Sequence, residues 1–255
     1  LEFNEMKKTL TALILYFLTP GILTAGISLD PGITELTVKP GTPYEGSITV
    51  GNSTDYHLDI KVEPENWLKR RGFENHLSEM DPEEWISIPS SFSINAGEEK
   101  EIQYTLNIPQ DERIQGQLVA MIFFSPQTES EGISVQNRFG ASIYSAIKGT
   151  ENISSEITSE RASSERFTVR VKNSGNVHIR PQGYVIIYDL FTDEETRRFP
   201  LRAGNPIFPG RSHSFSAPFG EDLPNGRYIA QAVVEYGMIY GEKRTIKSEA
   251  VEFRK

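Results

Sequence analysis

Apolar residues along this chain recur with a period of two over short stretches, and glycine, proline and asparagine punctuate the stretches. Tyr56, Leu58, Ile60 and Val62 alternate with Asp59, Lys61 and Glu63, the pattern of a half-buried antiparallel strand. Ile102, Tyr104, Leu106 and Ile108 repeat it and stop at Pro109. Strand-like runs also cover 27–30 and 33–38 on either side of Pro31-Gly32, then 85–88, 92–94, 118–124, 133–147 and 153–157. A second set starts with Phe167, Val169 and Val171 and turns at Asn173-Ser174-Gly175-Asn176. It continues through 184–190, a turn at Pro209-Gly210, Phe215, then Tyr228, Ala230, Ala232 and Val234, and finally Ile246, Val251 and Phe253. No long helical period competes, so the expected class is all-β, with short strands stacked as sandwiches.

The stretch 158–165 is small and polar with no apolar period, and reads as a linker. It divides the chain into residues 1–26, an upstream extension and leader; 27–158, a first immunoglobulin-like β-sandwich; 159–165, the linker; and 166–255, a second immunoglobulin-like β-sandwich. Each half carries an asparagine turn followed by a glycine turn, Asn52 with Gly97 and Asn173 with Gly210, which suggests two related modules. Within the first half, 65–84 is a charged insertion with Trp67, Phe73 and Leu77 as its large apolar anchors, expected to lie over one sheet edge as a long loop or short helix.

The leader has Met6, Lys7 and Lys8, an apolar run at 10–18, then Pro20 and Thr24-Ala25-Gly26. This is the order of a secretory signal peptide cut after Ala25 or Gly26, and it predicts a periplasmic or extracellular mature protein. Residues 1–5 precede the plausible start and are excluded from fold reasoning. With no cysteine, each sandwich must stand on its apolar core, and thiol or cysteine-metal chemistry is excluded. Lys and Arg total 26 against 35 Asp and Glu, a net charge of -9 that repels phosphate backbones, so nucleic acid is not an expected partner.

Catalytic patterns are missing: no Gly-x-Ser-x-Gly elbow, no His-Glu-x-x-His and no phosphate-cradling glycine loop, which points to a non-enzymatic protein without cofactor. His57, His76, His178 and His213 are scattered and read as surface or turn residues. The acidic insertion lacks the Asp/Asn spacing and turn glycine of a calcium loop, so no metal is expected there. Asn52 and Asn152 match the glycosylation acceptor pattern, Asn52 reading instead as a hairpin turn residue. The most informative stretch is 118–124, where Val119, Met121 and Phe123 alternate with Leu118, Ala120, Ile122 and Phe124, so both faces are apolar. One face enters the core; the other is covered either by Trp67 and Phe73 from the insertion or by a protein partner on Val119, Met121 and Phe123.

Trp85-Ile86-Ser87-Ile88-Pro89, Phe92-Ser93-Ile94, Gly97, the alternating strand closed by Ile108-Pro109, the run 119–124 and the opening Ile27-Ser28-Leu29-Asp30 together resemble the first domain of periplasmic pilus-assembly chaperones. The resemblance covers roughly the first half of the mature chain. It implies binding of an exported subunit through a pair of basic residues that clamp the subunit's terminal carboxylate, and through donation of a strand with an exposed apolar row. At the two clamp positions this chain has Pro31 and Ala141, neither able to hold a carboxylate. In 133–147 the row Ile133, Val135, Phe139, Ala141, Ile143 and Ile147 is expected to face the protein's own core, leaving Ser134, Gln136, Arg138 and Ser142 opposite. The expected function is that of a monomeric, chaperone-like exported protein that binds other exported proteins without that clamp. The alternative is a structural spacer in a surface layer, fibre or wall assembly.

Overall fold

The computed structural model describes residues 26–73, 76–127, 137–201 and 205–255. The leader at 1–25, and Ile133, Ser134, Val135 and Gln136, lie outside the described residues.

The first sandwich is made of two sheets. One has the order β1 (Ile27–Asp30), β3 (Tyr44–Asn52), β7 (Glu99–Leu106), β5 (Ile86–Ser87). The other runs β2 (Ile33–Val38), β9 (Phe139–Ile147), β8 (Gln117–Gln127), β4 (Leu58–Asn66), β6 (Ser91–Ile94). The opening stretch thus changes sheets at Pro31-Gly32: β1 pairs antiparallel with β3, whereas β2 pairs parallel with β9. Proline has no N–H for the ladder, so the strand ends there and its continuation enters the facing sheet. Between the sheets lies a core that includes Ile48, Ile60, Trp85, Leu106, Ile122, Phe124 and Ile143. Ala141, Ile143 and Ile147 of β9 face this core.

The second sandwich packs β10 (Ser155–Ala162), β11 (Arg166–Asn173) and β14 (Ser212–Pro218) against β13 (Glu195–Leu201), β12 (Gln182–Asp189) and β15 (Arg227–Tyr236). On the far side of β15, β16 (Arg244–Lys247) and β17 (Val251–Arg254) pair in succession along one edge. Its own core includes Phe167, Val169, Val185, Ile187, Phe219 and Val234. Two cores with separate sheets make the chain two tandem immunoglobulin-like β-sandwiches.

Two expectations are corrected. The stretch 159–165 is not a linker: through Ala162 it belongs to β10, which pairs with β11 inside the second sandwich. β10 is an edge strand with a register shift between Ile157 and Ser159, so its period of two is broken and its exposed side is polar. The chain passes between the sandwiches at 148–154 instead. β13 escapes the sequence reading because only Phe199 and Leu201 of its seven residues are buried.

The insertion contains two four-residue helices, α1 (Trp67–Arg70) and α2 (His76–Glu79), and a 3-10 turn at Pro82–Glu84. Asn66 organises it: its side-chain oxygen accepts from the Lys69 N–H at 3.0 Å, while its amide donates to the carbonyls of Leu77 and Met80. The insertion crosses the outer face of β8 rather than a sheet edge, placing Leu68 on Val119 and Trp67 beside Phe123. No helix among the described residues is long and apolar enough to cross a membrane.

Candidate functional site

Alternation on β8 sends Leu118, Ala120, Ile122 and Phe124 inward and Val119, Met121 and Phe123 outward. Pairing with the neighbouring strands extends these outward residues into rows across the sheet. Glu35, Tyr144 and Val119 are successive partners in one row. Ile33, Ser142, Met121 and Glu65 form the next, and Gly140, Phe123 and Glu63 the third.

The rows differ in what covers them. Val119 is 1% exposed, packed with Leu68, Tyr144 and Phe208 of the second sandwich, and Trp67, Phe73 and Leu77 close round this small cluster. Met121 and Phe123 are half-buried. Gly140 leaves space beside both: a Cβ there would lie 2.7 Å from the Met121 sulfur. Phe123 carries the Arg138 guanidinium 3.8 Å from its ring centre, with Trp67 at 6.4 Å and Arg70 at 5.9 Å. Glu65 accepts from both arginines, 2.7 Å from Arg138 and 3.1 Å from Arg70. β2 first pairs with β9 at Ser142, so Phe139, Gly140 and Ala141 are bonded to β8 on one side and have no strand on the other among the described residues.

At the other end of this face the two sandwiches meet. His178 is fully buried, its ring 4.4 Å from that of Tyr144. Its Nε2 donates to Glu35 Oε1 at 3.0 Å, and the same oxygen accepts from Arg180 Nε at 2.6 Å. Nδ1 lies 2.9 Å from Gln117 Oε1 and 3.1 Å from the Tyr240 hydroxyl, and the backbone N–H of His178 donates to Gln117 Oε1. Hydrogen bonding by His178 and Arg180 holds the Glu35 carboxyl well below its ordinary value, at about 2. Burial pushes His178 below its ordinary value, with the Glu35 carboxylate acting in the opposite sense. Burial also raises the phenols of Tyr144 and Tyr240.

A second bridge runs through the insertion. Arg211 of the second sandwich donates to the carbonyls of Arg71 and Gly72 at 3.2 Å and lies over Phe73, and Phe73 packs on Phe208.

The sequence reading places Val119, Met121 and Phe123 on one face, and the structure puts all three in adjacent rows there. It misses the junction. His178, read as a surface or turn residue, is the most enclosed histidine among those described, because the turn that carries it faces another domain rather than water. One signal was present: Asn52-Ser53 is followed by His57, and Asn173-Ser174 by His178, at the same spacing. Pro31 lies at the sheet crossing and Ala141 in the core, 1% exposed. Among the described residues no group of three or more His, Cys, Asp or Glu is placed to hold a metal ion.

No family model matches the chain, and no curated protein matches it. Solved structures similar to it include the class 5 fimbriae chaperone CfaA, at 16% identity and TM-score 0.48, covering 90% of this chain and 99% of that one. The E. coli chaperone DraB is similar at 13% identity and TM-score 0.46, over 88% of this chain and 98% of its own. A third is the Salmonella enterica SafA pilin in complex with the SafB chaperone, at 9% identity and TM-score 0.46, over 90% and 96%. These three structures, a fimbriae chaperone, a second chaperone and a pilin with its chaperone, are each similar to this chain along about nine tenths of its length.

Proposed function

We propose that this protein is a non-enzymatic, chaperone-like binding protein, exported to the periplasm or beyond, which engages other exported proteins as a monomer. The observation that carries the reading is the stretch of β9 at Phe139, Gly140 and Ala141, which among the described residues has no strand on its second side, beside the half-buried Met121 and Phe123. Unpaired strand edge offers backbone hydrogen bonds to an extended segment, and the adjoining apolar side chains offer it a floor. Val119 belongs to the same face but underlies Leu68, so its share in binding is to support that helix. With Pro31 and Ala141 where the resembled family keeps its basic pair, capture does not rest on that carboxylate clamp.

The test is capture from envelope extract by residues 27–255, comparing the native face with a Met121→Glu, Phe123→Glu double variant. A partner retained by the first and lost by the folded second supports the reading. A native protein that captures nothing, or a variant that captures equally well, overturns it. The filled interdomain junction also suits a rigid spacer in a surface assembly, a reading that predicts co-sedimentation with wall or fibre material independent of Phe123.

A further inference from the structure

Resting on the binding face proposed above, we infer that the segment it receives is acidic, an extended peptide whose carboxylates are read by arginines stacked on aromatic rings around that face.

The chain as a whole is strongly acidic, yet this region is not. Starting at the open edge of β9, Arg138 lies over Phe123, and Arg70 over Phe123 and Trp67 at 5.9 and 5.7 Å. Arg71 lies over Trp67 at 5.2 Å and Phe208 at 5.7 Å, Arg211 over Phe73 at 5.0 Å, and Arg180 over Tyr144 at 5.7 Å. Seven of the ten cation-over-ring contacts among the described residues fall in this one band, so the stacking belongs to the face and is not spread over the surface.

The ionic balance within the band is lopsided. Glu65 is shared by Arg70 and Arg138, and Glu35 by Arg180 and His178. Among the described residues, five guanidinium groups therefore meet two carboxylates, in a protein with more acids than bases. Stacking fixes a guanidinium by its flat side and leaves N–H groups on its edge, the side that bonds carboxylates. Arg70, Arg71, Arg138 and Arg211 are all exposed. Side chains alternate along an extended peptide, so one that pairs with Phe139, Gly140 and Ala141 places every second residue toward Met121 and Phe123, within range of Arg138 and Arg70. A segment alternating acidic and apolar residues sets its carboxylates toward the arginines on this face and its apolar side chains on the other, beside Phe139 and Ala141; a basic segment meets repulsion at each arginine.

Three labelled peptides of alternating valine with glutamate, glutamine or lysine test this by fluorescence anisotropy on the mature chain. The glutamate peptide is expected to bind at least about tenfold more tightly than the glutamine peptide, the lysine peptide not at all, and the preference is expected to shrink as salt rises from about 50 to about 300 mM. An Arg70→Glu, Arg71→Glu double variant, checked for folding by circular dichroism, should lose the preference, and Met121→Glu with Phe123→Glu should lose both the glutamate and the glutamine peptide. Equal binding of glutamate and glutamine peptides sinks the acidic assignment while leaving the binding face standing. Binding of no peptide sinks both. A polyanion without peptide character, such as polyphosphate, binding as tightly and untouched by the Phe123 change, would also overturn it.

Discussion

Asn52 and Asn173 close two turns built on one plan. In the first sandwich the Asn52 N–H donates to the Glu98 carbonyl, its own carbonyl accepts from the Gly97 N–H, and its side-chain oxygen accepts from the Thr54 N–H. In the second, Asn173 donates to the Arg211 carbonyl, accepts from the Gly210 N–H, and its side chain accepts from the Gly175 N–H. Each amide then donates to carbonyls across the turn: Tyr56, Ile94 and Asn95 in one case, Val177 and Ile207 in the other. Five residues on from each asparagine stands a histidine, and there the likeness ends. His57 is exposed, between Asn95 and Asp59. His178 is enclosed by Tyr144, Gln117, Glu35 and Tyr240. One local device serves as a free corner in one domain and as half of a joint in the other, because only the second corner has a neighbour.

The comparison breaks most sharply at the third residue of each corner, Thr54 or Gly175. A Cβ at Gly175 would overlap the Asn152 carbonyl of the connection between the domains. Gly175→Thr is expected to cost about 3 kcal/mol or more, and Thr54→Gly, at the open corner, under about 1 kcal/mol, measured by urea unfolding. Equal losses would show that the joint does not press on the turn.

Next in size are the asparagines. Asn173→Ala removes the amide from the buried Val177 carbonyl and leaves the Ile207 carbonyl with the Ile179 N–H and the Gly175 N–H with the Ser154 carbonyl, and should cost about 2–3 kcal/mol; Asn52→Ala, where water reaches part of the site, about 1–2 kcal/mol. A reversed order would mean that burial at the joint is not what sets the cost.

The histidines come third. His178→Ala opens a cavity at the joint and leaves Glu35 and Gln117 short of a partner, for an expected loss of about 2 kcal/mol and a broader distribution of interdomain angles in solution scattering. His57→Ala should stay within about 0.5 kcal/mol with unchanged scattering.

Smallest, and sharpest in form, is the pH dependence. Glu35 titrates lower in the folded protein than in the unfolded chain, so the folded state holds the proton more weakly. Its stabilisation is complete above about 4.5 and disappears as pH falls toward about 2. His178, held below 6.5 by burial, acts in the same sense, its contribution being lost as pH falls below that value. Glu35→Gln should therefore flatten the acid limb of urea midpoint against pH. Asp59→Asn, which removes the exposed partner of His57 whose carboxyl is lowered chiefly by the Ser93 hydroxyl, should flatten it less. Matching curves would erase the distinction between corner and joint.

Most strands were legible because an inward row such as Leu58, Ile60 and Val62 meets a core and its neighbours meet water. The failures share a cause. β10 and β13 lie at sheet edges, where little of either face is buried and the period of two fades. Within the proposed binding face, Val119, Met121 and Phe123 stood out because apolar residues on both sides of a strand demand a cover. The arginines did not, since their place beside Phe123 and Trp67 comes from an insertion folding over β8.

By itself, then, the sequence determined the two sandwiches, the strand break at Pro31-Gly32, the matched asparagine turns and the doubly apolar strand, all consequences of short-range rules of burial and backbone geometry. Tertiary structure alone decided that residues 159–162 pair in a strand, that Arg138, Arg70 and Arg71 gather around one face, and that His178 and not His57 is buried against Glu35. The last of these depends on surfaces that meet across 143 residues of chain, those of Glu35 and His178, and no local pattern encodes that distance.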